Sequence, residues 1–208
     1  MCREKSSIYK RKIYIYSTFH NLQSQRKKKA MGSYFKTFLF LVFSSVLIDG
    51  SAMGLNNGWY RIKPHGSNYG GPDNAGCLRS TKLTTIGEGI FQRGCGNLRS
   101  EQKFFIERDS RGIFIIRTAG GFCLDVSKGS TVSRTPIIQW TCNPSALSQK
   151  FHITYNQDSG GGYQIKAMHS HLCFDVDQSY PRGRRRVIQY PCHGKFPQRF
   201  YLQSTTPG

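Results

Sequence analysis

One layout recurs three times in this chain, and a sequence that repeats at a fixed spacing is confined to folds assembled from like units. The first copy reads Gln92-Arg93-Gly94-Cys95 and then Gln102-Lys103-Phe104. The second reads Gln139-Trp140-Thr141-Cys142 and then Gln149-Lys150-Phe151, the third Gln189-Tyr190-Pro191-Cys192 and then Gln198-Arg199-Phe200. An earlier cysteine opens each copy: Cys77, Cys123 and Cys173 lie 18, 19 and 19 residues before their partners. The closing phenylalanines, Phe104, Phe151 and Phe200, are 47 and 49 residues apart. Three copies with no fourth point to closure about a threefold pseudo-axis.

Within each copy the pattern is that of short strands. Alternating runs follow a glycine at 58–63, 112–117 and 162–166; a second strand begins at the first cysteine, a third ends at the second, and a fourth starts at the closing phenylalanine. Turn formers fill 67–74, 127–133, 156–162 and 178–183. Runs of this length bounded by Gly, Pro, Asn and Ser read as strands and loops, and no useful length of helical period follows residue 52. Four strands in each of three repeats make twelve, and no single unit can bury its apolar face alone. An all-β chain of this symmetry and about 150 residues after residue 52 is expected to be a β-trefoil, a six-stranded barrel capped by three hairpins. The repeats would span about 58–109, 112–156 and 162–204. Phe104, Phe151 and Phe200 are expected in the core, and Gln102, Gln149 and Gln198 on the backbone of their own repeats.

The 208 residues carry 30 Lys+Arg against 11 Asp+Glu, a net charge of +19, and much of the excess lies at the front. Residues 1–30 are basic without an apolar period, and read as an extension that is untranslated if synthesis starts at Met31, or disordered. From Met31 the chain has Lys36, an apolar run from Phe38 to Ile48, and Gly50-Ser51-Ala52. That is the make-up of a secretory signal peptide over 31–52, cut after Ala52. The run of eleven residues is far short of the roughly 20 a spanning helix needs; a signal anchor is the competing reading. Removing 1–52 leaves a charge of +11 and six cysteines.

An even number of cysteines in an extracellular domain reads as a disulfide framework. One pair per repeat selects Cys77–Cys95, Cys123–Cys142 and Cys173–Cys192 from fifteen connectivities, each closing a loop worth about 3 kcal/mol. Zinc is the competing use, but no pair has the short C-x-x-C spacing; no metal or cofactor is expected. Asn143 is followed by Pro144, so no N-glycosylation acceptor exists.

From about Trp59 to Ser204 the chain resembles the ricin B-chain-type lectins, β-trefoils with Q-x-W repeats and a disulfide per repeat. The shared features are Cys-x-Asp, an aromatic residue two before the second cysteine, and the closing Gln-x-aromatic. The resemblance implies that a galactose-type sugar lies on that aromatic ring while the carboxylate two after the first cysteine accepts bonds from its hydroxyls. A pyranose face rich in C–H stacks on a flat ring, and vicinal hydroxyls match the two acceptor oxygens of a carboxylate. Two repeats qualify: Asp125 with Trp140, and Asp175 with Tyr190. The first repeat has Arg79 and Arg93 instead, and so neither acceptor nor ring. Two features depart from the family. The asparagine before the closing glutamine is replaced by Glu101, Ser148 or Pro197. The glutamine four before the second cysteine is replaced by Ile138 or Ile188, with Gln139 and Gln189 shifted by one. The competing reading makes the rings hairpin covers and the aspartates turn braces.

Arg182-Gly183-Arg184-Arg185-Arg186 is the densest charge after residue 52. Clustered arginines pair with sulfate or carboxylate, which suits acidic glycans; nucleic acid also fits the charge but is not a partner expected of an extracellular disulfide protein. No enzyme is read here. Glycosidase carboxylates face each other across a cleft, whereas Asp125 and Asp175 belong to separate repeats, and neither a nucleophile motif nor metal ligands accompany His169 and His171. The expected protein is a secreted, non-catalytic lectin for glycans on glycoproteins, glycolipids or polysaccharides, without a transmembrane segment in the mature chain. The alternative is a basic interaction module for heparin-like polyanions, or the cell-binding subunit of a toxin.

Overall fold

Alternation places every second residue of the long strands inward. In Phe104–Arg108 the buried positions are Phe104 and Ile106, in Phe114–Thr118 they are Phe114, Ile116 and Thr118, and in Phe151–Tyr155 they are Phe151 and Ile153. The computed structural model describes residues 55–65, 76–96, 99–157, 161–181 and 185–207. The expected extension and signal peptide (1–52), together with Arg182 and Arg184, lie outside the described residues.

Among the described residues twelve strands follow in chain order. They are β1 (Gly58–Pro64), β2 (Cys77–Ser80), β3 (Ile90–Arg93), β4 (Phe104–Arg108), β5 (Phe114–Thr118) and β6 (Cys123–Val126), then β7 (Ile137–Trp140), β8 (Phe151–Tyr155), β9 (Tyr163–Ala167), β10 (Cys173–Val176), β11 (Val187–Tyr190) and β12 (Phe200–Ser204). Six of them form a ring: β1 pairs with β4, β4 with β5, β5 with β8, β8 with β9, β9 with β12, and β12 with β1. Every pairing in the ring is antiparallel, and closure leaves the barrel no free edge. Phe104, Phe151 and Phe200 are fully shielded within it, burial worth about 1.5–3 kcal/mol each.

The other six strands form three hairpins, β2–β3, β6–β7 and β10–β11. Their edges meet through the bridges Gly89↔Ile138, Pro136↔Ile188 and Phe91↔Arg186, one between each pair of hairpins. Amides of the three strand glutamines reinforce the junctions. Gln139 N donates to Glu88 O at 2.9 Å, Gln189 N to Thr135 O at 2.9 Å and Gln92 N to Arg185 O at 2.8 Å. This is the β-trefoil expected from the repeats. The three disulfides pair as read, with Cα–Cα distances of 5.0, 5.0 and 5.1 Å.

One boundary differs from expectation. The third strand of each repeat stops at Arg93, Trp140 or Tyr190, two residues short of its cysteine. There a side chain takes over the pairing. Gln149 Nε2 donates to Thr141 O at 2.9 Å and its Oε1 accepts from Asn143 N at 2.8 Å. Gln102 serves Gly94 O and Gly96 N in the same way, and Gln198 serves Pro191 O and His193 N. Among the described residues no helix is long and apolar enough to cross a membrane.

Candidate functional site

Strand register assembles the site. Asp125 lies opposite Ile138, and Trp140 follows two residues later opposite Cys123. Residues two apart on a strand share a face, so the carboxylate and the ring are diagonal neighbours on one side of the hairpin. Asp175 and Tyr190 repeat this geometry opposite Ile188 and Cys173. Arg79 and Arg93 hold the same places opposite Phe91 and Cys77.

In the middle repeat Asp125 is 8% exposed. Its Oδ2 accepts from Gln149 Nε2 at 2.7 Å. The closing glutamine therefore does more than the expected backbone bonding: it also fixes the carboxylate. The other oxygen, Oδ1, is buried without a hydrogen-bond partner. A buried acceptor left unpaired is costly. Trp140, 42% exposed, stands beside it. Its edge packs on Gly87 of the neighbouring repeat, where an added Cβ would lie 3.5 Å from Trp140 Cζ3. Ring and carboxylate line a concavity of about 590 Å³, with Lys128, Asn143 and Gln149 also on its walls. Lys128 adopts a left-handed backbone, φ 57°.

The last repeat is built alike but is already partnered. Asp175 is 6% exposed, and its Oδ2 accepts from Gln198 Nε2 at 3.0 Å. His193 Nε2 approaches the same oxygen at 3.3 Å. Because Lys195 N–H donates to His193 Nδ1 at 3.1 Å, the neutral ring carries its proton on Nε2 and donates it to Asp175. Burial pushes the Asp175 carboxyl above the usual range, against the downward pull of Gln198 and His193 and with a small upward push from Asp177. Tyr190 meets the imidazole edge-on at 6.2 Å.

In the first repeat Arg79 Nη2 lies 3.8 Å from Glu101 Oε1. The residue before the closing glutamine has become the counter-ion of the residue that replaces the aspartate. Of the arginine run, Arg185 Nε donates to Tyr180 O at 3.1 Å, and the Arg186 guanidinium lies 5.7 Å from the Phe91 ring and 6.0 Å from the Tyr180 ring. His169 Nε2 lies 3.0 Å from Ser130 O. Among the described residues no three His, Cys, Asp or Glu side chains gather as metal ligands.

Sequence reading missed Asn143 and His193, each one residue after the second cysteine of its repeat. Gln139 and Gln189 stand one residue from the place of the family's glutamine. Both are fully buried and face away from the site. Gln139 Nε2 donates to Lys82 O and Thr85 O at 2.6 and 2.5 Å, and Gln189 Nε2 to Ser130 O and Val132 O at 2.8 and 2.7 Å. Their side chains stitch one hairpin to the loop of the preceding one.

Residues 100–183 and 147–208, together more than half of the chain, match the family model described as ricin-type beta-trefoil lectin domain-like. The chain belongs to this ricin-type lectin-domain family. Solved structures agree on the fold. The designed threefold-symmetric protein ThreeFoil superposes with a TM-score of 0.61 at 20% identity, over 72% of this chain and 100% of its own. The Rhizoctonia solani agglutinin gives 0.59 at 15% identity, covering 73% and 97%. The C-half of the earthworm R-type lectin, solved in complex with GalNAc, gives 0.51 at 17% identity, covering 71% and 99%. No curated protein matches the sequence. Within this ricin-type domain, then, the paired acceptor and ring occur in the second and third repeats and not in the first.

Proposed function

We propose that this ricin-type domain is a secreted, non-catalytic lectin that binds galactose-type or other cell-surface glycans, chiefly through Asp125 and Trp140 and secondly through Asp175 and Tyr190. The observation that carries the reading is that the Asp125 carboxylate, fixed by Gln149, and the exposed ring of Trp140 line one concavity. Sugar hydroxyls donate to the carboxylate while the apolar sugar face covers the indole. A bond to a charged acceptor contributes about 1.5–3 kcal/mol before ordering costs. A shallow site of this kind has a Kd around millimolar, about 4 kcal/mol, and two sites on one domain raise retention on a glycan-coated surface. The GalNAc bound by the earthworm relative supports the galactose-type preference, and three disulfides suit an oxidising, extracellular setting.

The test is a glycan array probed with the protein at two salt concentrations, alongside Trp140→Ala. Selective, salt-tolerant binding to terminal galactose or N-acetylgalactosamine, most of it lost in the variant without a change in unfolding midpoint, is the expected result. Broad binding to sulfated chains that fades with salt, unaffected by the variant, would move the function to Arg182, Arg184, Arg185 and Arg186.

A further inference from the structure

A second concavity, of about 340 Å³, adjoins the first and shares Gly87, Ser127 and Ile138 with it. Glu88 and Arg186 also line it. Resting on the reading of the middle repeat as a sugar site, the geometry points to an extended groove in which Trp140 and Asp125 hold the first unit of an oligosaccharide and Glu88 and Arg186 hold the units that follow.

Strand pairing lays out the path. Asp125 pairs with Ile138, Ile138 bridges to Gly89, and two residues beyond Gly89 the chain bridges from Phe91 to Arg186. Two strand spacings, roughly 10 Å, separate Asp125 from Gly89, so the groove is longer than one sugar ring. Glycines stand along it, with the edge of Trp140 over Gly87 and the Phe91 ring over Gly89. Gly87 has φ +80°, and at Gly89 a Cβ would come within 3.0 Å of the Phe91 ring. The polar groups on the groove's walls suit hydroxyl-rich ligands. One Glu88 oxygen accepts from the Thr81 hydroxyl, which orients the carboxylate. Arg186 is exposed and held against two rings, with no carboxylate within ion-pair distance among the described residues. Its planar donors meet ring and hydroxyl oxygens, and Glu88 accepts from hydroxyls. The last repeat lacks this extension, since Pro136 stands at its hairpin bridge where Gly89 stands beside the middle site.

The test is calorimetric titration of the full-length protein with methyl β-galactoside and with β-linked galactobiose and galactotriose, and with the matching glucose and N-acetylglucosamine series. Wild-type protein is expected to bind the trisaccharide of its preferred series at least about tenfold more tightly than the methyl glycoside. Arg186→Ala and Glu88→Gln should bring the trisaccharide down to the methyl-glycoside value and leave that value within about twofold. Trp140→Ala should remove both. Arg186→Lys keeps the cation on the rings, and an unchanged unfolding midpoint in either arginine variant separates lost contact from lost fold. A trisaccharide that binds no better than the methyl glycoside overturns the extension alone, as does an Arg186→Ala loss that falls equally on both. Absence of binding by every series removes the middle-site reading and the extension with it.

Discussion

The bond between a closing glutamine and a site carboxylate can be weighed inside one molecule, because the repeats supply their own control. Gln149 and Gln102 are both buried, and each spans the same backbone gap with one donated and one accepted bond. Only Gln149 also donates to a carboxylate, Asp125 Oδ2 at 2.7 Å; in the first repeat that position is Arg79. Replacing either glutamine with methionine removes two neutral bonds worth about 0.5–1.5 kcal/mol each, so Gln102→Met should cost about 2 kcal/mol. Gln149→Met should cost a further 1.5–3 kcal/mol or so, the value of a hydrogen bond to a charged group. The extra loss has a definite origin, since it strips the last partner from a carboxylate whose other oxygen already has none. Equilibrium unfolding in urea with the disulfides intact measures both, with the slopes compared to verify a common unfolded state. In an Asp125→Leu background the two substitutions should cost the same. Equal losses in the wild-type background would refute the argument, because the glutamine–aspartate bond would then carry no net stability.

Three further outcomes follow from features already described. Lys128→Gly should stabilise the protein by about 0.5–1 kcal/mol, because a left-handed backbone penalises a side chain more than glycine's added entropy costs; a higher urea midpoint checks it. Carboxyl titration by NMR should find Asp175 above the usual carboxylate value, owing chiefly to burial, and Asp109 below it, owing first to the amide of Ile113 that donates to it. For Asp175 the sign makes its stabilising contribution complete below the unfolded pKa of about 3.9 and lost as pH rises through the folded value; for Asp109 the contribution is present above the unfolded pKa and lost as pH falls through the folded value. Replacing Cys123 and Cys142 together with alanine should cost about 3 kcal/mol by the loop-entropy model, read as a lowered urea midpoint.

Much of this architecture is legible because its parts sit at fixed offsets from the cysteines. The repeat spacing gives the strand count, one cysteine pair per repeat gives the disulfides, and the Asp and aromatic offsets put Asp125 beside Trp140. What the sequence hides is the partner across space. Gln139 reads only as a glutamine shifted by one from the family's place, and strand parity turns position 139 away from the face that carries 138 and 140, toward Lys82 O and Thr85 O of another repeat. His193 looks like any loop histidine until the fold sets its Nε2 3.3 Å from Asp175, which makes the two site carboxylates unlike despite matching motifs. Glu101 reads only as a missing asparagine, and becomes intelligible once Arg79 is seen 3.8 Å away. The Arg186 side chain reads as part of a charge run, and its place on two rings follows from a bridge between hairpins distant in sequence.

The pairing of β1 with β12 bears on how such a domain can be joined to others. Tyr60 lies opposite Ser204, so the ordered barrel is entered and left side by side, at the end where Asp109 turns the chain from β4 into β5. The hairpins that carry the rings and carboxylates lie beyond the other end of the same strands. A neighbour fused at either terminus is therefore tethered at one pole, leaving the pole that carries the hairpins clear. By the same geometry a short linker between Ser204 and Gly58, with the chain reopened at the 109–113 turn, gives a circular permutant in which every strand keeps its partners.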